Sequence, residues 1–168
     1  LGTLVVPFTA FQASTSKNVE LVDDNDNDGQ ISSGDKIKYT IVASNVGEQD
    51  IPPGGVTIQD TLDPDVSYVP NSMRYEVPET GESALISGSS FPLADGLPSQ
   101  VTFLMRGGTA EISFDVTIND AAESISKDTI YNKGAVTFDT ATFPFRLELR
   151  LRVKASIDIE KTVYMGQG

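Results

Sequence analysis

The sequence predicts an all-β protein, an antiparallel β-sandwich, and three observations carry that prediction. Several runs alternate strictly between apolar and polar residues, as in Lys36–Ala43, Glu111–Asn119 and Phe145–Val153. A two-residue period marks strands with one buried and one wetted face. Turn-forming clusters separate the runs: Asn45-Val46-Gly47, Pro52-Pro53-Gly54-Gly55, Asp63-Pro64-Asp65 and Gly107-Gly108. No stretch carries a convincing helical period. A chain of 168 residues suits one domain, or one domain with part of a neighbour, and can bury a core without staples.

In chain order, Leu4–Phe11 is apolar and β-branched and reads as a strand, which Pro7 assigns to an edge or a bulge. A polar link, Ser14–Lys17, leads to a short strand at Asn18–Val22. In Lys36–Ala43, Ile37, Tyr39, Ile41 and Ala43 face the core. Val56–Leu62 follows, with Val56, Ile58 and Thr61 or Leu62 inward. Val66–Val69 and Met73–Val77 are short strands around Pro70-Asn71-Ser72. Residues 79–96, rich in Gly, Ser, Glu and Pro, read as irregular exposed loop with at most one short strand. Gln100–Arg106, Glu111–Asn119, Thr129–Phe138, Phe145–Val153 and Ser156–Tyr164 complete about ten strands. Asp120–Lys127 reads as a loop or one helical turn.

The most specific local signal is Asp24-Asn25-Asp26-Asn27-Asp28-Gly29-Gln30-Ile31-Ser32-Ser33-Gly34-Asp35. Oxygen-bearing residues fall at its first, third, fifth, ninth and twelfth places, with glycine at the sixth. Calcium takes about six to eight oxygens, so a short loop must curl around the ion. Asp24, Asp26 and Asp28 are the expected carboxylate ligands, Gln30 the carbonyl ligand, Ser32 a direct or water-bridged ligand, and Asp35 the closing one. Gly29 takes the sharp turn, and Ile31 pins the loop to the core. With no helical pattern on either side, the loop joins strands, so its expected role is bracing and not signalling. The plain alternative is an acidic, solvated turn.

Composition narrows the function classes. The chain has no cysteine, histidine or tryptophan. Disulfides, thiolate metal sites, thiol nucleophiles and histidine-based catalysis are therefore excluded, and an enzyme is not expected. A net charge of −12 opposes binding to nucleic acid or anionic membranes and suits calcium-rich or saline surroundings. No apolar run is long enough to span a bilayer. The start at Leu1 reads as a mature product or a piece of a longer chain. Paired carboxylates for glycoside hydrolysis are available, but no aromatic cluster marks a sugar cleft.

Three motifs occur together: Gly34-Asp35-Lys36-Ile37-Lys38-Tyr39-Thr40-Ile41, then Asn45-Val46-Gly47, then Val56-Thr57-Ile58-Gln59-Asp60-Thr61-Leu62. Tyr131-Asn132-Lys133-Gly134-Ala135-Val136 closes the order. Over residues 17–138 the chain resembles the conserved repeat domain of unknown function found in tandem in bacterial, archaeal and some algal surface proteins. That resemblance implies an immunoglobulin-like sandwich, an extracellular structural role and no catalytic residue. Residues 1–16 are then an extra strand or linker. Residues 139–168 hold late strands and the junction to a following repeat. Such ends are either strands shared with neighbours or edge strands of an enlarged sandwich.

The expected function is a calcium-braced structural module of an extracellular surface or filament protein, with neighbouring copies or repeats as partners. The alternative is an adhesin that contacts a glycan or protein through the 79–96 loop. Arg146, Arg150, Arg152 and Lys154 form a basic stripe, either a charged edge that blocks aggregation or a surface for the next copy. A Lys17–Asn132 isopeptide crosslink, known in some surface sandwiches, requires a buried carboxylate beside both residues. A solvated lysine and a hydrogen-bonded asparagine are expected instead.

Overall fold

The structure, a computed structural model, describes residues 12–98, 104–119, 129–138 and 141–151. They form ten strands: β1 (Ala13–Asp23), β2 (Lys36–Asn45), β3 (Val56–Thr61), β4 (Val66–Tyr68), β5 (Met73–Val77), β6 (Glu82–Ile86), β7 (Leu97–Pro98), β8 (Thr109–Ile118), β9 (Thr129–Phe138) and β10 (Ala141–Arg150). All pairings among them are antiparallel. One sheet runs β1-β2-β8-β5-β6, with β4 also on β8, and the other runs β10-β9-β3-β7. The two sheets make the all-β sandwich that the alternation calls for, of the immunoglobulin-like kind that the resemblance implies. Among the described residues, no helix is long and apolar enough to cross a membrane.

Alternation decides what the sandwich buries. Ile37, Tyr39, Ile41 and Ala43 of β2 and Ala110, Ile112, Phe114, Val116 and Ile118 of β8 line one inner face. Val56 and Ile58 of β3, Ile130, Val136 and Phe138 of β9, and Phe145 and Leu149 of β10 line the other. Each large side chain of this kind contributes roughly 1.5–3 kcal/mol on burial. Asn45 ends β2 by bonding the turn that follows. Its Oδ1 accepts the Gly47 N–H at 3.1 Å, and its Nδ2 donates to the Gln49 carbonyl at 2.8 Å. The Asn-Val-Gly motif is therefore a side-chain-built turn.

Several sequence expectations change. Ser14–Lys17 is not a link: it is the first half of β1, paired with β2 from Ala13↔Asn45 onward. Its polar residues stay extended because every second one faces the partner sheet, as Lys17 does. In β3 the inward phase continues through Asp60, which is fully buried, while Thr61 is exposed and Leu62 half-buried. Segment 79–96 is less exposed than expected. It contains β6, Leu93 is fully buried, and Phe91 packs on Tyr68 and Phe114 at ring separations of 5.5 and 5.0 Å. The Leu93 carbonyl also accepts the Asp60 N–H at 3.1 Å, tying this segment to β3.

The late strand begins earlier than its alternation shows. β10 starts at Ala141, since Thr142, Phe143 and Pro144 pair with β9 from the outset. Among the described residues it is an edge strand of the sandwich, with Arg146 and Arg150 on its exposed side. Of the strand expected at Gln100–Arg106, the described part is a single bridge, Leu104 to Ile51, followed by a turn. The strands expected at Leu4–Phe11 and Ser156–Tyr164, the 120–127 segment, Arg152 and Lys154 lie outside the described residues.

Candidate functional site

The acidic loop connects β1 to β2 at one end of the sandwich. Asn27 and Gly29 take positive φ values of 58° and 75°, which curl the backbone tightly around the Asp24–Asp28 segment. Asp24 accepts the Gly29 N–H at 2.7 Å and Asp28 accepts the Gln30 N–H at 2.8 Å. As a result, carboxylate oxygens of Asp24, Asp26 and Asp28 lie within 4.8 Å of one another. Two oxygens bound to one calcium at 2.3–2.6 Å are at most about 5 Å apart, so the trio fits that ion. Ile31 is partly buried against the core, as its apolar place predicts.

The remaining expected ligands are arranged differently. Asp35 is fully buried and turned into the loop's own backbone. One of its oxygens accepts the Asn25 N–H at 2.8 Å, and the other accepts the Ser32 N–H at 2.7 Å and the Ser32 hydroxyl at 3.3 Å. Ser32 is buried with it. Gly34, at φ 87°, donates to the Ile118 carbonyl, and Ile118 donates back to Asp35. The Gly-Asp pair that opens β2 is thus the hinge that seats the loop on β8. The structure gathers carboxylate oxygens of Asp24, Asp26 and Asp28, has Gln30 donate its N–H to Asp28, and turns Ser32 and Asp35 onto each other and the loop's own backbone.

A second group lies inside the sandwich. Lys17 of β1 is buried, with its amine against Asp60 of β3 and 2.5 Å from Oδ1 of Asn132 on β9. This replaces the solvated lysine expected from sequence. Aromatic rings close over the amine: Tyr39, Phe114 and Phe145 stand 4.3, 5.0 and 5.6 Å from it, measured to ring centroids. Gly134, opposite Asp60 in the β3–β9 register, makes room for Phe145. A Cβ there would sit 2.2 Å from the Gln59 carbonyl oxygen and 2.4 Å from the Phe145 ring. Oδ1 of Asp60 and Nδ2 of Asn132 are buried and make no well-aligned hydrogen bond, although Asn132 still helps to hold the Asp60 carboxyl down.

Burial pushes the Lys17 amine down to about 8, although the charge and hydrogen bond of Asp60 hold it up. Burial also raises the Asp60 carboxyl above its ordinary range, with Lys17 pulling the other way. Both shifts favour the uncharged forms, because a dry apolar cage penalises ions. Alternation carries the signal for this group. Lys17 follows Thr15 and precedes Val19 on the inward side of β1, Asp60 follows Val56 and Ile58, and Asn132 stands between Ile130 and Gly134. Continuing each inward phase through a polar residue finds all three.

No protein-family model matches the chain, and no curated protein matches it. Solved structures do. The T6 backbone pilin of serotype M6 Streptococcus pyogenes aligns over 82% of this chain and 35% of its own, at 13% identity and a TM-score of 0.49. The major pilin SpaD of Corynebacterium diphtheriae aligns over the same shares, 82% and 35%, at 16% identity and a TM-score of 0.45. The collagen-binding subdomain of the Enterococcus faecalis surface protein ACE aligns over 80% of this chain and 92% of its own, at 13% identity and a TM-score of 0.43. The chain thus spans about a third of the length of the two pilins.

Proposed function

We propose that the chain is a structural module of an extracellular surface or filament protein, braced by calcium at the β1–β2 loop and assembled with neighbouring copies or repeats. The observation that carries this reading is the convergence of three carboxylates, Asp24, Asp26 and Asp28, in a loop whose backbone is locked to the core by Asp35 and Gly34. Three negative charges held this close repel one another, and a divalent cation from solution relieves that repulsion while tying β1 to β2. Calcium supplies charge and coordination here, and the Gln30 carbonyl is the next ligand of the proposed set. The strongly acidic composition and the absence of cysteine suit a module that takes its bracing from cations instead of disulfides.

Assembly with neighbours follows from the sheet edges. Among the described residues, β1 and β10 are outer strands of their sheets, and β10 exposes Arg146 and Arg150 on an otherwise acidic molecule. The test is negative-stain microscopy of the full-length protein with calcium and with chelator, alongside thermal melts. Rods or filaments that loosen on chelation support the reading. Dispersed particles in both conditions, with one melting temperature, overturn it and favour an adhesive binding module.

A further inference from the structure

We propose that Lys17 and Asn132 become joined by an isopeptide bond that the folded chain forms by itself, with Asp60 as the proton-transferring group. This goes beyond the calcium reading and does not depend on it. The geometry is the first support. With Nζ 2.5 Å from Oδ1 and a carbonyl bond of about 1.2 Å, the amine lies no more than about 3.7 Å from the electrophilic Cγ. That is close to the separation of a near-attack arrangement, about 3–3.5 Å. Asp60 touches the same amine and interacts with the Asn132 side chain, so one carboxyl group can serve both the nucleophile and the leaving group.

The reaction balances without any co-reactant. Lys17 attacks as the neutral amine, after passing its extra proton to Asp60. Nζ bonds to Cγ of Asn132, and the carbonyl electrons move onto Oδ1 in a tetrahedral intermediate. Asp60 delivers its proton to Nδ2 and, as a carboxylate again, takes one from Nζ. The Cγ–Nδ2 bond breaks, the carbonyl re-forms, and one ammonia leaves. The lowered amine and raised carboxyl described above favour the two protonation states this route needs.

The environment is the second support. An unreacted cluster keeps a buried ion pair together with two buried polar atoms lacking well-aligned hydrogen bonds, Asp60 Oδ1 and Asn132 Nδ2. Each of those costs stability. Amide formation removes the charge on Lys17 and expels Nδ2, so two of these burdens vanish with the product. Tyr39, Phe114 and Phe145 shield the centre, which keeps water from competing for the intermediate. The product is a covalent tie from β1 in one sheet to β9 in the other.

Intact-mass spectrometry of the purified chain, followed by tandem spectra of its tryptic peptides, tests this. The wild-type chain is expected to be lighter than its calculated mass by one ammonia, with a branched peptide joining Lys17 to Asn132. Asp60→Asn and Asn132→Ala are expected at their full calculated masses. A wild-type chain at full mass with β-type circular dichroism overturns the proposal, as does an ammonia loss that maps elsewhere. Because the wild-type measurement is decisive alone, failure of a variant to fold does not rescue the idea. An Asp60→Asn chain that still carries the branched peptide removes Asp60 from the reaction.

Discussion

The Asp24–Asp28 loop and the Lys17–Asp60–Asn132 cluster both join β1 to another part of the fold, and both depend on carboxylates. Water separates them. In the loop, Asp26 and Asp28 are exposed, within reach of a cation from solution. In the core, Asp60 is sealed beside its own cation, where ions are costly and neutral products are favoured. The exposed group makes a brace that responds to the surroundings. The buried group makes one that, once formed, does not reverse.

Removing the covalent tie should have the largest effect. The bond closes most of the chain, from residue 17 to residue 132, into one loop. By the chain-entropy argument used for disulfides, closing a loop near 100 residues long contributes roughly 5 kcal/mol. At about 2–4 °C per kcal/mol for a domain of this size, Asn132→Ala should melt about 10–20 °C below wild type. A melt within a few degrees of wild type, measured by calorimetry, would leave the core cluster as an ordinary ion pair.

The same variant should acquire a pH dependence that the linked chain lacks. An unlinked Lys17 binds fewer protons folded than unfolded, because its folded value is about 8 against 10.5 unfolded. Stability therefore rises with pH between about 8 and 10.5, by at most roughly 3 kcal/mol at about 1.4 kcal/mol per unit. In the linked chain Lys17 is an amide and does not titrate, so the gap to Asn132→Ala should narrow across this window. Asp60 acts oppositely: its raised value stabilises the fold in acid and loses that contribution as pH rises through the folded value. The Tyr39 hydroxyl is raised by burial and then by the charges of Asp60 and Asp63, so it stays protonated below 10. A rise between pH 8 and 10 thus belongs to Lys17, and parallel wild-type and variant curves would contradict the assignment.

Calcium should act more weakly and in both backgrounds. With free calcium about thirty-fold above its dissociation constant, binding adds roughly 2 kcal/mol, or about 4–8 °C. Chelation should lower the melting temperature by that amount in wild type and in Asn132→Ala alike, since separate sites add. Asp26→Ala should abolish the response while changing the calcium-free melt by less than about 0.5 kcal/mol. A calcium response confined to one background would show the two braces to be coupled.

How far each group could be read from sequence follows the same division. The strand alternation in β2 and β8 marked their inward faces, because apolar side chains and a two-residue period report the same face. The acidic loop was visible since its ligand spacing is local. The core cluster was legible only in part: Lys17 and Asn132 could be named as a pair, but their burial and the carboxylate beside them could not, because the members come from three strands far apart in sequence and each polar residue breaks the apolar pattern that marks an inward position. Lys17 in a run of Ser and Thr reads as solvent-facing until β1 is seen paired along its whole length with β2. Asp60 stood inside one of the quoted motifs, yet only the packing of β1 over β3 and β9 shows it to be the carboxylate that joins Lys17 and Asn132.

Asp35 tests the division within the loop itself, where the expected effect is smallest. Sequence spacing makes it the closing calcium ligand, whereas the fold buries it and turns both oxygens onto Asn25 and Ser32. Asp35→Asn keeps the shape but sets an amide donor against an N–H donor, which leaves a buried group unpaired at a cost of about 1–2 kcal/mol. If Asp35 is scaffold, the variant melts lower without calcium, and the calcium response carried by Asp24, Asp26 and Asp28 survives. If instead the calcium-free melt is unchanged and the response is lost, Asp35 swings outward to close the shell. The chelated melt separates these outcomes, because a ligand matters only when the ion is present, whereas a scaffold residue matters always.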